Sequence, residues 1–194
     1  NMFLSFCTDD KIHRVAYAAS FGVDCWEYSK SQTKKCRELI KLFDGISVRE
    51  ASGIALCKKH LGCNAIEVLD PTLLLTCDKY SSICEGVVPA TSKYLAAYVL
   101  DMNDEKRKVI EAIASKERLP IKWFHTDKSC VLSVEEWIAS FRDAAFVVTD
   151  SFHGTVFSII FNHDFYSIVN ENRGASRFYS LLLKFGLMER VIAS

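Results

Sequence analysis

Proline and glycine are scarce, with three and eight in 194 residues, so long flexible linkers are not expected. Net charge is missing as well. Lys+Arg and Asp+Glu both number 24. No basic excess exists to hold a nucleic-acid backbone, so no nucleic-acid partner is expected. Eight cysteines stand at 7, 25, 36, 57, 63, 77, 84 and 130, yet none forms a C-x-x-C pair. Zinc-ribbon and thioredoxin-like readings lose their support. Uninterrupted apolar length is lacking too. The most apolar stretch, Ala144 to Phe161, carries Asp150 and His153 near its middle and makes a poor membrane span. At most a peripheral membrane contact is expected. Phe3 to Cys7 is too short an apolar run for a secretory leader, and no basic region precedes it.

The composition that remains is globular: 49% hydrophobic and 25% charged residues, enough for one ordinary domain or two small ones. The cysteine spacings are irregular and several fall inside apolar patterns. Free, mostly buried thiols in a reducing, cytoplasmic setting are expected; the competing reading is a disulfide framework.

Hydrophobic periodicity gives an α/β rhythm. Arg14 to Ser20 predicts a buried strand, and Ser31 to Phe43 a helix with Cys36, Leu39, Ile40 and Phe43 on one face. Asp44-Gly45 stops it, and Gly45 to Val48 predicts a strand. Ser47-Val48-Arg49-Glu50 matches a capping box, so a helix is expected from there to about Leu61. Ala65 to Leu69 is a further strand. Cys77 to Ser92 breaks the rhythm and reads as a crossover. Beyond it, strands are expected at Tyr94–Leu100, Ile121–Phe124, Phe146–Thr149 and Phe165–Val169. Helices are expected at 103–116, after the capping box Ser133–Glu136, at 154–161 and at 175–185. The pattern predicts parallel α/β layers. It groups residues 1–80 and 92–194 into two α/β lobes joined by 77–91.

Ligands of parallel α/β sheets bind beyond the carboxyl ends of the strands. Thr149-Asp150-Ser151-Phe152-His153-Gly154-Thr155 occupies such a place and opens an apolar helix, whose N-terminus favours phosphate or carboxylate. Asp150 or Ser151 can cap it, His153 can donate a hydrogen bond or proton, and Gly154 allows close backbone approach. The competing reading is an N-cap with a buried, satisfied histidine. Arg49 also directly follows a strand. In the first turn of a helix it would oppose the dipole, which suggests an anionic partner; the competing reading is a surface arginine paired with Glu50 or Glu38. Arg173 and Arg177, in Asn170 to Arg177, could clamp an anion bidentately or lie solvated in a loop. Asp70 before Pro71 reads as a turn residue, with contact to ligand as the alternative. Trp26 and Tyr28 could line a sugar site or pack. The histidines at 13, 60, 125 and 163 share no ligand spacing, so no metal site is expected.

Five segments in order resemble the polysaccharide pyruvyl transferase family: Val15–Gly22 (VAYAASFG), Phe43–Glu50 (FDGISVRE), Leu69–Leu75 (LDPTLLL), Val148–Gly154 (VTDSFHG) and Asn170–Phe178 with its R-G-x-S-R-F core. The likeness extends to Gly186–Arg190. It implies a GT-B-like, two-lobed enzyme with Rossmann-like parallel sheets that transfers a pyruvyl group from phosphoenolpyruvate to a sugar or lipid-linked saccharide of a cell-surface polysaccharide, releasing phosphate, with no separate cofactor. By motif match it implies catalytic roles for Arg49 and His153. Ser151, Gly154, Arg173, Arg177 and Asp150 become candidate substrate-binding residues. It further implies that an α/β region precedes the first segment, so the N-terminal lobe is expected to be incomplete. Ser151 stands where some members have arginine, and Asp164 where proline is common. The missing charge is then expected from Arg49, Arg173 or Arg177. The alternatives are a nucleotide-sugar-dependent glycosyltransferase of the same architecture and an inactive lobe that only binds.

Overall fold

A computed structural model describes residues 3–7, 9, 11–124, 132–169 and 174–193. His125, Cys130 and Arg173 lie outside the described residues. The chain forms two α/β units. The first comprises Asn1–Pro71 and Asn172–Gly186, the second Thr72–Glu171 and Leu187–Ser194.

In the first unit, β1 (Val15–Ala19), β2 (Gly45–Val48) and β3 (Ile66–Glu67) form a parallel sheet in the order β1-β2-β3. Helix α1 (Lys30–Ile40) joins β1 to β2. It opens on Ser29, whose hydroxyl accepts from the Gln32 N–H while the Gln32 side chain accepts from the Ser29 N–H. That capping box escaped the sequence reading. Helix α2 (Ala51–Leu56) follows β2, widens into one π-turn over Cys57–Leu61 and stops at left-handed Gly62. Ile40, Val48, Cys57, Leu61 and Ala65 form the core.

The expected cap at Ser47 is not formed. Ser47 lies inside β2, where its Oγ accepts from the Ala18 N–H and donates to the Ala16 carbonyl. Glu50 takes the N-cap position instead, and the helix begins at Ala51. Arg49 therefore precedes the helix, and the expected clash with its dipole does not arise.

In the second unit, a 3-10 turn at Pro71–Leu74 and helix α3 (Cys77–Ile83) occupy the region read as a crossover. Strands β4 (Leu95–Tyr98), β5 (Ile121–Phe124), β6 (Phe146–Thr149), β7 (Asp164–Val169) and β8 (Val191–Ala193) form an all-parallel sheet in the order β5-β4-β6-β7-β8. Helices α4 (Asp104–Glu117), α5 (Val134–Arg142) and α6 (Phe152–Ile160) complete it. Every residue of β4 and β6 is buried, as both faces of a doubly wound sheet require. Leu95, Ala97, Phe146 and Val148 pack with Ile110 and Ala114 of α4. Tyr98, Phe124, Trp137, Phe141 and Phe157 form an aromatic cluster with centroid separations of 4.7–6.0 Å. The Ser133–Glu136 capping box forms as expected.

Helix α7 (Ala175–Phe185) was expected in the second lobe but belongs to the first unit. Ser180 Oγ accepts from the Ala51 N–H at 3.1 Å, and Lys184 Nζ meets Glu67 Oε1 at 3.1 Å.

Seven cysteines are described and free. Cys57 and Cys84 are buried, but Cys25 and Cys77 are exposed, so the thiols are less buried than expected. Burial pushes the Cys57 thiol up to about 12, which leaves it a packing group rather than a nucleophile. Among the described residues, no helix is long and apolar enough to cross a membrane.

His163, between α6 and β7, gives the second unit a pH-dependent stability. Burial holds its imidazole below the ordinary value, outweighing hydrogen bonds to the Phe141 and Arg142 backbone and the charges of Asp143 and Asp164. Its Nε2 is buried without a hydrogen-bond partner. The folded state thus resists a proton that the unfolded chain accepts near pH 6.5. Stability is full above that value and is lost as pH falls through it towards the lower folded value. Asp143 has the same sign in a lower window. Burial raises its carboxyl, but the Arg142 side chain, the Ala90 N–H and the charges of Arg142 and Lys122 bring it below the ordinary value of 3.8. Melting temperatures should fall between pH 7.5 and 5 in the parent chain. His163→Asn should flatten that slope and leave the decline below pH 4 in place.

Candidate functional site

Each unit places polar residues at the carboxyl ends of its strands. In the first unit the arrangement begins with an irregularity in β1. The β1–β2 register shifts between Ala16 and Ala19, and Ala18 adopts φ 51°. A buried alanine rarely takes that left-handed conformation. Here Ser47 Oγ satisfies its N–H, and its carbonyl accepts from Arg49 Nε at 3.1 Å. Arg49 Nη1 is hydrogen-bonded to Asp70 Oδ2 just beyond β3. The guanidinium is 20% exposed and the Asp70 carboxylate 3%.

Asp70 is therefore more than a turn residue. It fixes the orientation of Arg49, and it replaces both Glu50 and Glu38 as the arginine's partner. Twenty-one residues separate the pair, too far for any local pattern to reveal it.

Glu50 was missed as a site residue and is fully buried. Its Oε1 accepts from the N–H groups of Phe21 and Gly22 at 2.5 and 3.0 Å, while Oε2 has no hydrogen-bond partner. This carboxylate fixes the turn after β1. The turn passes close to the N-terminus of α7, where a Cβ on Gly22 would stand 3.6 Å from Gly174 Cα. Gly174 takes φ 73° and is covered by the Arg177 side chain, whose Nε lies 2.9 Å from where a Cβ would be. Arg49, Glu50, Asp70 and Arg177 thus belong to one unit. An acidic residue directly after a strand, beside Arg49, was the signal that could have found Glu50.

In the second unit, the strand order reverses between β4 and β6, the usual ligand position in such sheets. Asp150 spans this point. Its Oδ1 accepts from the Leu100 N–H at 2.6 Å, and its Oδ2 from the Asp101 N–H at 3.1 Å and Lys106 Nζ at 2.7 Å. Lys106 Nζ also donates to the Asp101 carbonyl. The Lys106 and Asp150 side chains are 6% and 2% exposed. Asp150 therefore pins two strand ends together; it does not cap the helix.

Ser151 is the N-cap of α6 and accepts from the Gly154 N–H. A chain of hydroxyls fixes this end. Thr149 Oγ1 donates to the Tyr98 carbonyl at 2.6 Å and accepts from the Ser151 N–H. Thr155 Oγ1 meets Ser167 Oγ of β7 at 2.7 Å.

Gly154 does allow a close backbone approach, but the neighbour is Thr149. A Cβ on Gly154 would stand 2.3 Å from Thr149 Oγ1, so the glycine seats α6 on β6. His153, in the first turn of α6, is exposed, with its ring edge-on to Phe152 at 5.4 Å. The competing reading of a buried histidine fails. The site presents an accessible imidazole at a rigid helix N-terminus, suited to meeting an anion or passing a proton.

The family model for polysaccharide pyruvyl transferase matches residues 1–172. No curated protein matches the chain. Among solved structures, the wall teichoic acid polymerase TagF is similar with a TM-score of 0.41 and 11% identity. The match covers 80% of this chain and 45% of the polymerase, so the chain spans less than half of that protein's length.

Proposed function

Because the chain belongs to the polysaccharide pyruvyl transferase family, we propose that it moves a pyruvyl group from phosphoenolpyruvate onto a saccharide and releases phosphate. The family match over residues 1–172 carries this reading. The donor is a small dianion or trianion, and the polar residues after β2 and at the head of α6 are of the kinds that bind one.

The reaction balances without a further reactant. The enol CH2 takes a proton and becomes CH3 while one sugar oxygen bonds to the central carbon. A second hydroxyl then attacks that carbon, the C–O bond to phosphate breaks, and phosphate leaves. The two hydroxyl protons end on the methyl group and on phosphate. In this reading Arg49, oriented by Asp70, meets the charge of the donor. His153 delivers the proton or receives the phosphate, and the α6 N-terminus adds N–H groups and dipole. Arg177 holds a carboxylate or phosphate.

The test is direct. The chain is incubated with phosphoenolpyruvate and a saccharide acceptor, and inorganic phosphate is followed by phosphorus NMR alongside the mass of the saccharide. Phosphate release together with a pyruvylated saccharide is expected. In a thermal-shift series, phosphoenolpyruvate should stabilise the chain, by about 2.7 kcal/mol at 100-fold the dissociation constant. Stabilisation by UDP- or GDP-sugars in its place would transfer the site to a glycosyltransferase.

A further inference from the structure

A cleft lies in the first unit, formed by the segment after β1, α1 and the end of the π-turn. It has a volume of about 290 Å³ and is lined by Trp26, Tyr28, Lys30, Lys34, Arg37 and His60, with Thr33 between the lysines. Its polar and apolar parts are both built. Trp26 stacks on His60 at 4.6 Å with the rings 3° from parallel, and Tyr28 stands edge-on to Trp26 at 4.9 Å. Trp26 Nε1 donates to Thr33 Oγ1 at 2.8 Å, which locks the indole to α1. Tyr28 remains 48% exposed.

The cations follow from helical spacing. Lys30, Lys34 and Arg37 recur at i, i+4 and i+7 and share one face of α1. Arg37 Nε donates to the His60 carbonyl at 2.6 Å, which holds the guanidinium at the cleft. Among the described residues neither Lys30 nor Lys34 has an ion-pair partner. Among the described residues no acidic side chain lines the cleft. In a chain of zero net charge, this is a local excess of positive field. His60 registers that excess: desolvation, Lys59 and Arg37 together hold its imidazole below the ordinary value.

We propose that this cleft binds a phosphorylated saccharide, with a sugar ring against Tyr28 and the phosphate held by Lys30, Lys34 and Arg37. Aromatic rings receive the apolar face of a sugar, and convergent cations receive its anion. The volume lies at the small end of ligand sites, which suits one sugar residue and its phosphate. The assignment to a saccharide rests on the function proposed above, and the site is separate from the residues assigned to the donor.

Tryptophan reports on it. The chain contains three tryptophans, so 5-fluorotryptophan labelling gives three fluorine signals, and Trp26→Phe identifies the one from the cleft. Titration with glucose 1-phosphate should move the Trp26 signal at concentrations at which glucose does not. Inorganic phosphate should act more weakly. Lys30 and Lys34 are exposed, so the double variant Lys30→Glu/Lys34→Glu should melt as the parent does. It should bind glucose 1-phosphate more than about ten-fold more weakly, as expected for lost charge-assisted bonds. Equal responses to glucose 1-phosphate and inorganic phosphate would reduce the cleft to a plain anion site. An unmoved Trp26 signal, or unchanged affinity in the double variant, would overturn the proposal. The readout does not depend on pyruvyl transfer, so failure of the reaction and failure of this site are distinguishable.

Discussion

Replacing Asp150 with alanine should lower the stability of the second unit by about 3–5 kcal/mol, the cost of leaving a buried charge without its partner. The pair is 6% and 2% exposed, so water cannot take over from the lost carboxylate. Lys106 would keep only the Asp101 carbonyl. The N–H groups of Leu100 and Asp101 would lose their acceptor at the same time. Urea unfolding followed by tryptophan emission reads this change, since Trp123 and Trp137 both lie in the second unit. Asp150→Asn retains an acceptor oxygen and should lose less. A loss below about 1 kcal/mol for Asp150→Ala would mean that Lys106 reaches solvent in the variant and that the strand ends hold without it. The double substitution Lys106→Met/Asp150→Leu should recover much of the stability, since an apolar pair of similar volume carries no desolvation penalty.

His153→Ala should reduce turnover by at least about 10²-fold, the scale of a lost acid–base group. The imidazole is exposed and the α6 cap belongs to Ser151, so the melting temperature should remain close to that of the parent. The kinetic form of the loss assigns the role. A fall in kcat at constant KM marks a proton donor, because the interaction then exists only in the transition state. A rise in the phosphoenolpyruvate KM at constant kcat marks a phosphate ligand. Parent-like kinetics on both constants would remove His153 from the reaction.

Continuous apolar runs and helical stripes made most of the elements legible, because burial on both faces of β4 and β6 leaves runs such as Phe146 to Thr149 with few other readings. Caps were less certain. Ser133 and Ser47 carry the same S-x-x-E pattern, yet only Ser133 caps. The difference lies in a tertiary contact: Ser47 Oγ bridges Ala18 and Ala16 of the neighbouring strand. Strand β8, three residues after a 3-10 turn, is too short to show a period. The site divided in the same way. His153 and Arg49 could be selected because each lies just beyond a strand. The ion pairs around them could not, since Asp70 stands 21 residues from Arg49 and Lys106 44 residues from Asp150. The close backbone approach that a glycine at 154 permits is made to Thr149, a neighbour fixed by the seating of α6 on β6.

The return of α7 to the first unit has a practical corollary. Each unit owns two separate stretches of sequence, so neither can be excised as one uninterrupted fragment. A truncation after residue 171 would strip the β1–β2–β3 sheet of the hydroxyl that receives the Ala51 amide and of the lysine that meets Glu67. Dissection of this protein into independently folding halves therefore calls for a linker in place of 72–171, or a permuted chain, rather than a single cut.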